Sequence, residues 1–199
     1  MGGSQDREAG DPIRTFVCIE IPESIKERIA ELQRHLRQLD SRVSWTRPSN
    51  IHLTLKFLGD LPPSRIERVR QAAERSAISI DPFEIEVGSA GCFPSPRSPR
   101  VLWVGLVTLP DSLNWLHKRL EEELFREGFP RESKRFSPHL TLGRVRDPRK
   151  SALLAEGLQA RGFESEKFEA REIIVMRSEL KPIGSVYTPQ ATISLGHSN

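Results

Sequence analysis

The clearest hydrophobic pattern in the chain runs from Ile51 to Phe57, where Ile51, Leu53, Leu55 and Phe57 alternate with His52, Thr54 and Lys56. Strict alternation predicts a half-buried strand with those two sets on opposite faces. Residues 14–22, RTFVCIEIP, are rich in β-branched and aromatic side chains and predict an earlier strand closed by Pro22. Between the two strands the period changes. Ile25, Ile29, Leu32, Leu36 and Leu39 recur at helical spacing after a capping-box pattern at Ser24 and Glu27, with His35 on the polar side. RVSWTRP, beginning at Arg42, reads as a short strand.

The pattern continues in the same style. Gly59-Asp60 is expected to turn the chain toward a second capped helix, with Ser64 and Glu67 as the box and Ile66, Val69 and Ala73 as its inner stripe. FEIEVGSA and RVLWVGLV read as strands around a stiff, basic loop, GCFPSPRSPR. A helix over 112–126 buries Leu113, Leu116, Leu120 and Leu124, and His117 borders that face as a packing residue. A short helix over about 150–159 follows, and FEAREIIVMRSEL and VYTPQATISL finish as strands; His197 falls in the tail. Connections between successive strands are often too short for a parallel crossover, so the fold class is α+β with mainly antiparallel sheets.

The whole-chain properties narrow the class. A length of 199 residues allows one domain or two small lobes sharing a core. Cys18 and Cys92 are too few for a disulfide framework and lack metal-type spacing, so a reducing cytoplasm is expected. No apolar leader opens the chain and no run of eighteen apolar residues occurs, so neither a secretion signal nor a membrane span is expected. Residues 1–12 and 196–199 are expected to be tails around one domain over 13–195, and a monomer is expected. The net charge of +3 discriminates little, but residues 131–150 carry seven Lys/Arg (131, 134, 135, 144, 146, 149 and 150) against Glu132 and Asp147. That segment surrounds a repeat.

The repeat is His-Leu-Thr-Leu, at His52 and again at His139, in a chain with five histidines. At average Leu and Thr usage, a second copy at one of the other histidines has a chance of roughly a few in a thousand. Residues i and i+2 of a strand share a face, so each copy presents an imidazole beside a hydroxyl, and each is half of a site if two related lobes face one another. Two opposed imidazoles suit displacement at phosphorus, one taking a proton from the attacking oxygen and the other giving one to the oxygen that leaves. Threonine hydroxyls and a guanidinium can hold the non-bridging oxygens. Catalytic zinc wants about three protein ligands, and neither motif carries a carboxylate or a third histidine, so no metal or other cofactor is expected. Cys18 and Cys92 have no motif partner for nucleophilic work. The pairs read phosphate and not base. A nucleotide-binding module without chemistry, or a phosphoesterase for small cyclic nucleotides or 2′-5′-linked oligonucleotides, therefore stays open.

These residues resemble the two-histidine (2H) phosphoesterase superfamily, and within it the RNA 2′,3′-cyclic phosphodiesterases formerly called 2′-5′ RNA ligases. RTFVCIEIP resembles that family's opening strand, SNIHLTLKFLGD its first motif, CFPSPRSPRVLWVGL its middle hairpin, FSPHLTLGRV its second motif and SELKPIGSVYTPQATISL its end. The resemblance implies a bilobal, pseudo-twofold fold with two sheets facing a central cleft and helices outside. It also implies opening of terminal 2′,3′-cyclic phosphates on RNA to a 2′-phosphate, with 2′-5′ joining as the reverse reaction in some members. RNA with cyclic phosphate ends, or small cyclic nucleotides, would be the partners. It implies His52 as the acid, His139 as the base, Thr54, Thr141 and Arg144 on the phosphate, and Phe57 stacked on the terminal base. Phe57 and Arg144 each stand five residues after their histidine, so an unbroken strand would turn both away from the cleft. Gly143 gives Arg144 a way to bend back, and no neighbour offers Phe57 one.

Overall fold

The computed structural model describes residues 11–39, 42–147, 151–182 and 184–196. His197 and most of the two expected tails lie outside these residues. Among the described residues, nine strands form two sheets. One sheet has the order β3-β1-β8-β9, from β1 (Ile13–Glu20), β3 (His52–Leu61), β8 (Glu172–Lys181) and β9 (Gly184–Ser194). The other has the order β2-β6-β5-β4-β7, from β2 (Val43–Trp45), β4 (Phe83–Phe93), β5 (Val101–Leu106), β6 (His139–Val145) and β7 (Glu166–Ala170). Every neighbouring pair is antiparallel, as the short connections require.

Among the described residues, four α-helices cover the outer faces. α1 (Glu23–Leu36) and α4 (Ser151–Arg161) pack together, with α4 against β4; α2 (Ile66–Ala77) and α3 (Asp111–Arg126) pack together, with α2 on β8 and β9 and α3 on β3. Their apolar stripes explain the choice of face. Ile25, Ile29 and Leu36 of α1, Val69 and Ala73 of α2, and Leu113, Leu116, Leu120 and Leu124 of α3 are fully buried in one continuous core with the inner faces of both sheets. A second, smaller cluster of Phe16, Cys18, Ile174 and Met176, with Tyr187 against it, lies on the other face of the first sheet.

Four sequence expectations change. Neither capping box forms: Ser24 lies inside α1 and its hydroxyl donates to Glu166 of β7 (2.5 Å), while Glu67 binds Arg70 and Gln71. Gly59-Asp60 does not turn the chain, because Gly59 takes a φ of +74°, which only glycine adopts cheaply, and lets β3 run on to Leu61. FEAREIIVMRSEL is two strands, since β7 pairs with β4 in one sheet and β8 with β1 in the other, and Arg171 lies between them. Lastly, Lys56 does not share the face of His52 and Thr54. It is buried among the core side chains at 6% exposure.

Candidate active site

The Lys56 exception has a structural cause that acts twice. In the β1–β3 ladder Cys18 pairs with Thr54 and Val17 with Lys56, so Leu55 is an extra residue on β3. In the β5–β6 ladder Trp103 pairs with Thr141 and Leu102 with Gly143, so Leu142 is an extra residue on β6. Each β-bulge falls on the last leucine of His-Leu-Thr-Leu and reverses the alternation beyond it. Leu55 and Lys56 are consecutively buried, as are Leu142 and Gly143, and the next residues, Phe57 and Arg144, emerge on the face of the histidines. Both line the cleft. The objection that strand geometry turns them away is thus corrected.

Each bulge is held from behind by a helix. Leu142 leaves its carbonyl outside the β5–β6 register, where it accepts from Gln33 Nε2 of α1 (2.9 Å) and from the Thr46 amide (2.9 Å). Gln33 also donates to the Thr46 carbonyl (2.7 Å). Lys56 Nζ lies 2.7 Å from Glu121 Oε1 of α3 and donates to the Pro130 carbonyl (3.1 Å). Glu121 in turn accepts from the Glu132 amide (3.0 Å), and His117, one helical turn earlier, stacks on Phe136 with 3.8 Å between ring centroids. Lys56, Glu121 and His117 thereby fix the segment that leads into His139. Gly143 contributes by lacking a side chain: a Cβ there would stand 2.7 Å from Val43 Cγ1, so β2 could not close on β6.

The two histidines are tethered alike. His52 Nδ1 donates to the Asn50 carbonyl (2.9 Å) and His139 Nδ1 to the Ser137 carbonyl (2.8 Å), each two residues back. A carbonyl only accepts, so Nδ1 carries the hydrogen and Nε2 is the reactive end of both neutral rings. Their surroundings differ. His52 stacks on Phe16 (4.6 Å, 18°) and meets Tyr187 edge-on (5.3 Å), and burial on this aromatic floor lowers its pKa to about 4 despite the Asn50 carbonyl. Burial also lowers the pKa of His139, which sits edge-on to Phe93 (5.1 Å), and the Arg144 guanidinium lowers it further.

β3 and β6 are where the two sheets come together, with Cα atoms within 8 Å. Between them lies a cleft of about 500 Å³ lined by His52, Thr54 and Phe57 from one motif and Thr141 and Arg144 from the other. His139 does not line that volume itself; it stands two residues before Thr141 on the same strand face. Among the described residues, the remaining charged lining is Arg14, Arg47 and Arg146, with no carboxylate. Arg14 lies over the Phe57 ring (4.6 Å), making a cationic aromatic shelf at the rim. One imidazole, two threonine hydroxyls and several guanidiniums around a cavity without a carboxylate among the described residues have the chemistry to hold a phosphate group.

A family pattern described as LigT like Phosphoesterase matches residues 19–103 and 106–187 of this chain. The chain belongs to this phosphoesterase family. Among its relatives, a protein of Methanothermobacter thermautotrophicus named RNA 2′,3′-cyclic phosphodiesterase is 34% identical, over 92% of this chain and 99% of that protein. One of the same name in Archaeoglobus fulgidus is 35% identical, over 88% of this chain and 96% of that protein. The crystal structure of E. coli LigT complexed with NADP+ is 26% identical, covers 94% of this chain and 100% of that one, and has a TM-score of 0.75. The E. coli protein has also been solved with 3′-AMP. The bilobal α+β fold is shared with these LigT-like structures.

Several cleft residues escaped the sequence reading. Phe16 sits in an apolar run that looks like ordinary core and Tyr187 on a mixed strand, and only the pairing of β1 with β3 and β8, and of β8 with β9, brings them beneath His52. Asn50 offers one signal, as a polar residue two positions before His52, inside the SNIHLTLKFLGD stretch. Its carbonyl holds His52 while its side chain donates to the Ser185 carbonyl of β9 (2.7 Å). Arg14, Arg47 and Arg146 are indistinguishable from surface arginines until the sheets assemble.

Proposed function

We propose that this chain is an RNA 2′,3′-cyclic phosphodiesterase that hydrolyses a terminal 2′,3′-cyclic phosphate to a 2′-phosphate. The observation that carries the reading is the paired half-sites: two His-x-Thr faces, each with Nδ1 tethered to its own backbone, on strands that meet at one arginine-lined cleft. The relatives' name supplies the substrate class.

In the forward step His139 Nε2 takes a proton from water as its oxygen attacks phosphorus. The bond from phosphorus to O3′ breaks, and His52, as imidazolium, gives its proton to O3′. The products are a 2′-monoester and a free 3′-hydroxyl, and proton exchange with solvent resets both rings. No step in this sequence calls for a metal ion. Thr54, Thr141 and Arg144 hold the non-bridging oxygens, and Phe57 with Arg14 receives the terminal base. A 5′-hydroxyl in place of water would make a 2′-5′ linkage by the same transfers.

A ring held near pKa 4 is almost wholly neutral at pH 7, whereas the acid must enter as imidazolium. The substrate itself resolves this, because its phosphodiester brings a negative charge beside the ring and favours the protonated form. Binding of the anion is therefore coupled to proton uptake, and acid and base become distinct only once the cleft is filled. The buried thiols of Cys18 and Cys92, both free, accord with a cytoplasmic setting.

Incubation with RNAs ending in 2′,3′-cyclic phosphate, with the product identified as 2′- or 3′-monoester, tests the proposal directly. A 2′-monoester formed with undiminished rate in excess chelator is expected. Retention of near-wild-type turnover by either His52→Ala or His139→Ala would show the assignment to be wrong.

A further inference from the structure

The cleft does not end at Trp45. A second groove of about 610 Å³ continues from it along the free edge of the second sheet, sharing Ser44, Trp45 and Arg146 with the cleft and adding Arg37, Arg42 and Val43. Arg37, just beyond α1, lies over the Trp45 ring (5.1 Å). Arg42 and Arg146 are brought side by side by an amide-to-carbonyl bond from Arg146 to Arg42 (2.8 Å). Among the described residues, the lining holds three guanidiniums and an indole, with no carboxylate.

That composition is not what this chain's surface provides by default. With 30 Lys/Arg against 27 Asp/Glu, a concavity ordinarily mixes signs. The groove bounded by Arg28, Glu31, Arg161 and Glu164 does so, and its Arg28 is neutralised by Glu164 (2.7 Å) and Glu166 (3.1 Å). Guanidiniums interleaved with an aromatic face, tracking away from a phosphate site, are the elements that bind single-stranded nucleic acid without reading its sequence. Geometry sets the polarity. A cyclic phosphate ends an RNA at its 3′ side, so whatever continues from the cleft lies 5′ of it.

Resting on the function proposed above, we infer that this groove holds the body of the RNA: the nucleotides 5′ of the cyclic phosphate, with Arg37, Arg42 and Arg146 on their backbone phosphates and Trp45 stacked on a base. The enzyme is then built for oligonucleotide ends and not for free cyclic mononucleotides.

Turnover of adenosine 2′,3′-cyclic phosphate, which fills the cleft alone, is compared with that of a tetranucleotide RNA bearing the same end. The wild type and the Arg37→Gln/Arg42→Gln double variant serve, since both side chains are exposed and outside the cleft lining. The expected result is a wild-type preference for the tetranucleotide of about tenfold or more in kcat/KM, carried by KM and largely lost in the variant, with mononucleotide turnover unchanged. Removing two phosphate contacts also makes the dependence of log K on log salt shallower by about 1.4. Equal rates for wild type and variant on the tetranucleotide, or equal losses on both substrates, would overturn the inference while leaving the proposed activity standing. Should neither substrate turn over, it is the activity that fails, and binding of a fluorescent tetranucleotide with a 2′-phosphate end decides the groove: weakened affinity in the variant upholds it and unchanged affinity overturns it.

Discussion

The half-site around His52 and the half-site around His139 are built from the same tetrapeptide, the same bulge and the same backbone tether, yet they place their imidazoles in different media. His52 lies on Phe16 against Tyr187, on an apolar floor contributed by strands from both ends of the chain. His139 has Phe93 at its edge and a guanidinium nearby. Repetition supplies two tethered imidazoles in unequal surroundings; in the proposed mechanism it is the bound anion, and not those surroundings, that makes His52 the acid. The supports behind the bulges are unequal too: a neutral Gln33 behind β6 and a buried ion pair, Lys56 with Glu121, behind β3.

The largest effect separates the two histidines by chemistry. His52→Ala and His139→Ala should each lower turnover of a cyclic phosphate by about 10²–10⁴-fold. On an aryl phosphodiester, whose leaving group departs without a proton, His52→Ala should recover most of its rate and His139→Ala should not. Equal recovery would erase the acid and base assignment.

The supports differ next. Lys56→Ala leaves Glu121 buried without its cation and should cost about 3–5 kcal/mol of stability. Lys56→Met with Glu121→Met should regain most of that, because an apolar pair replaces two buried charges. Chemical denaturation reads both, and a loss below about 1 kcal/mol in Lys56→Ala would mean the pair is solvated.

The third contrast is with pH. His52 has a folded pKa depressed to about 4 from 6.5, so below 6.5 the unfolded chain takes the proton first and stability falls as pH drops, levelling off near 4. The full contribution is about 3 kcal/mol, and the lowered pKa of His139 acts in the same sense. His52→Gln should flatten the fall in melting temperature between pH 6.5 and 4 by more than His139→Gln does. The reverse order would place the drier ring at His139.

The smallest effect belongs to Gln33. Gln33→Ala removes one buried and one part-buried bond but leaves the Leu142 carbonyl its bond from Thr46, so about 1–2 kcal/mol is expected. Because the β6 bulge aims Arg144, KM for the cyclic phosphate should rise along with it. A stability loss with unchanged KM would mean the bulge holds without its helix.

Much of this was legible in the chain itself. The helical stripes, most strands, the antiparallel class and the twin His-x-Thr faces follow from local periodicity, since the side chains that share a face stand two, three or four residues apart. The tertiary structure decided what depends on partners remote in sequence. The sides taken by Lys56, Phe57 and Arg144 were set by bulges, which exist only in the register between β3 and β1 and between β6 and β5. The pairing of β2 with β6, the split at Arg171 and the aromatic floor under His52 were set by which strands found each other. A sequence fixes the alternation of a strand but not its reversal, because an extra residue is extra only against a neighbour.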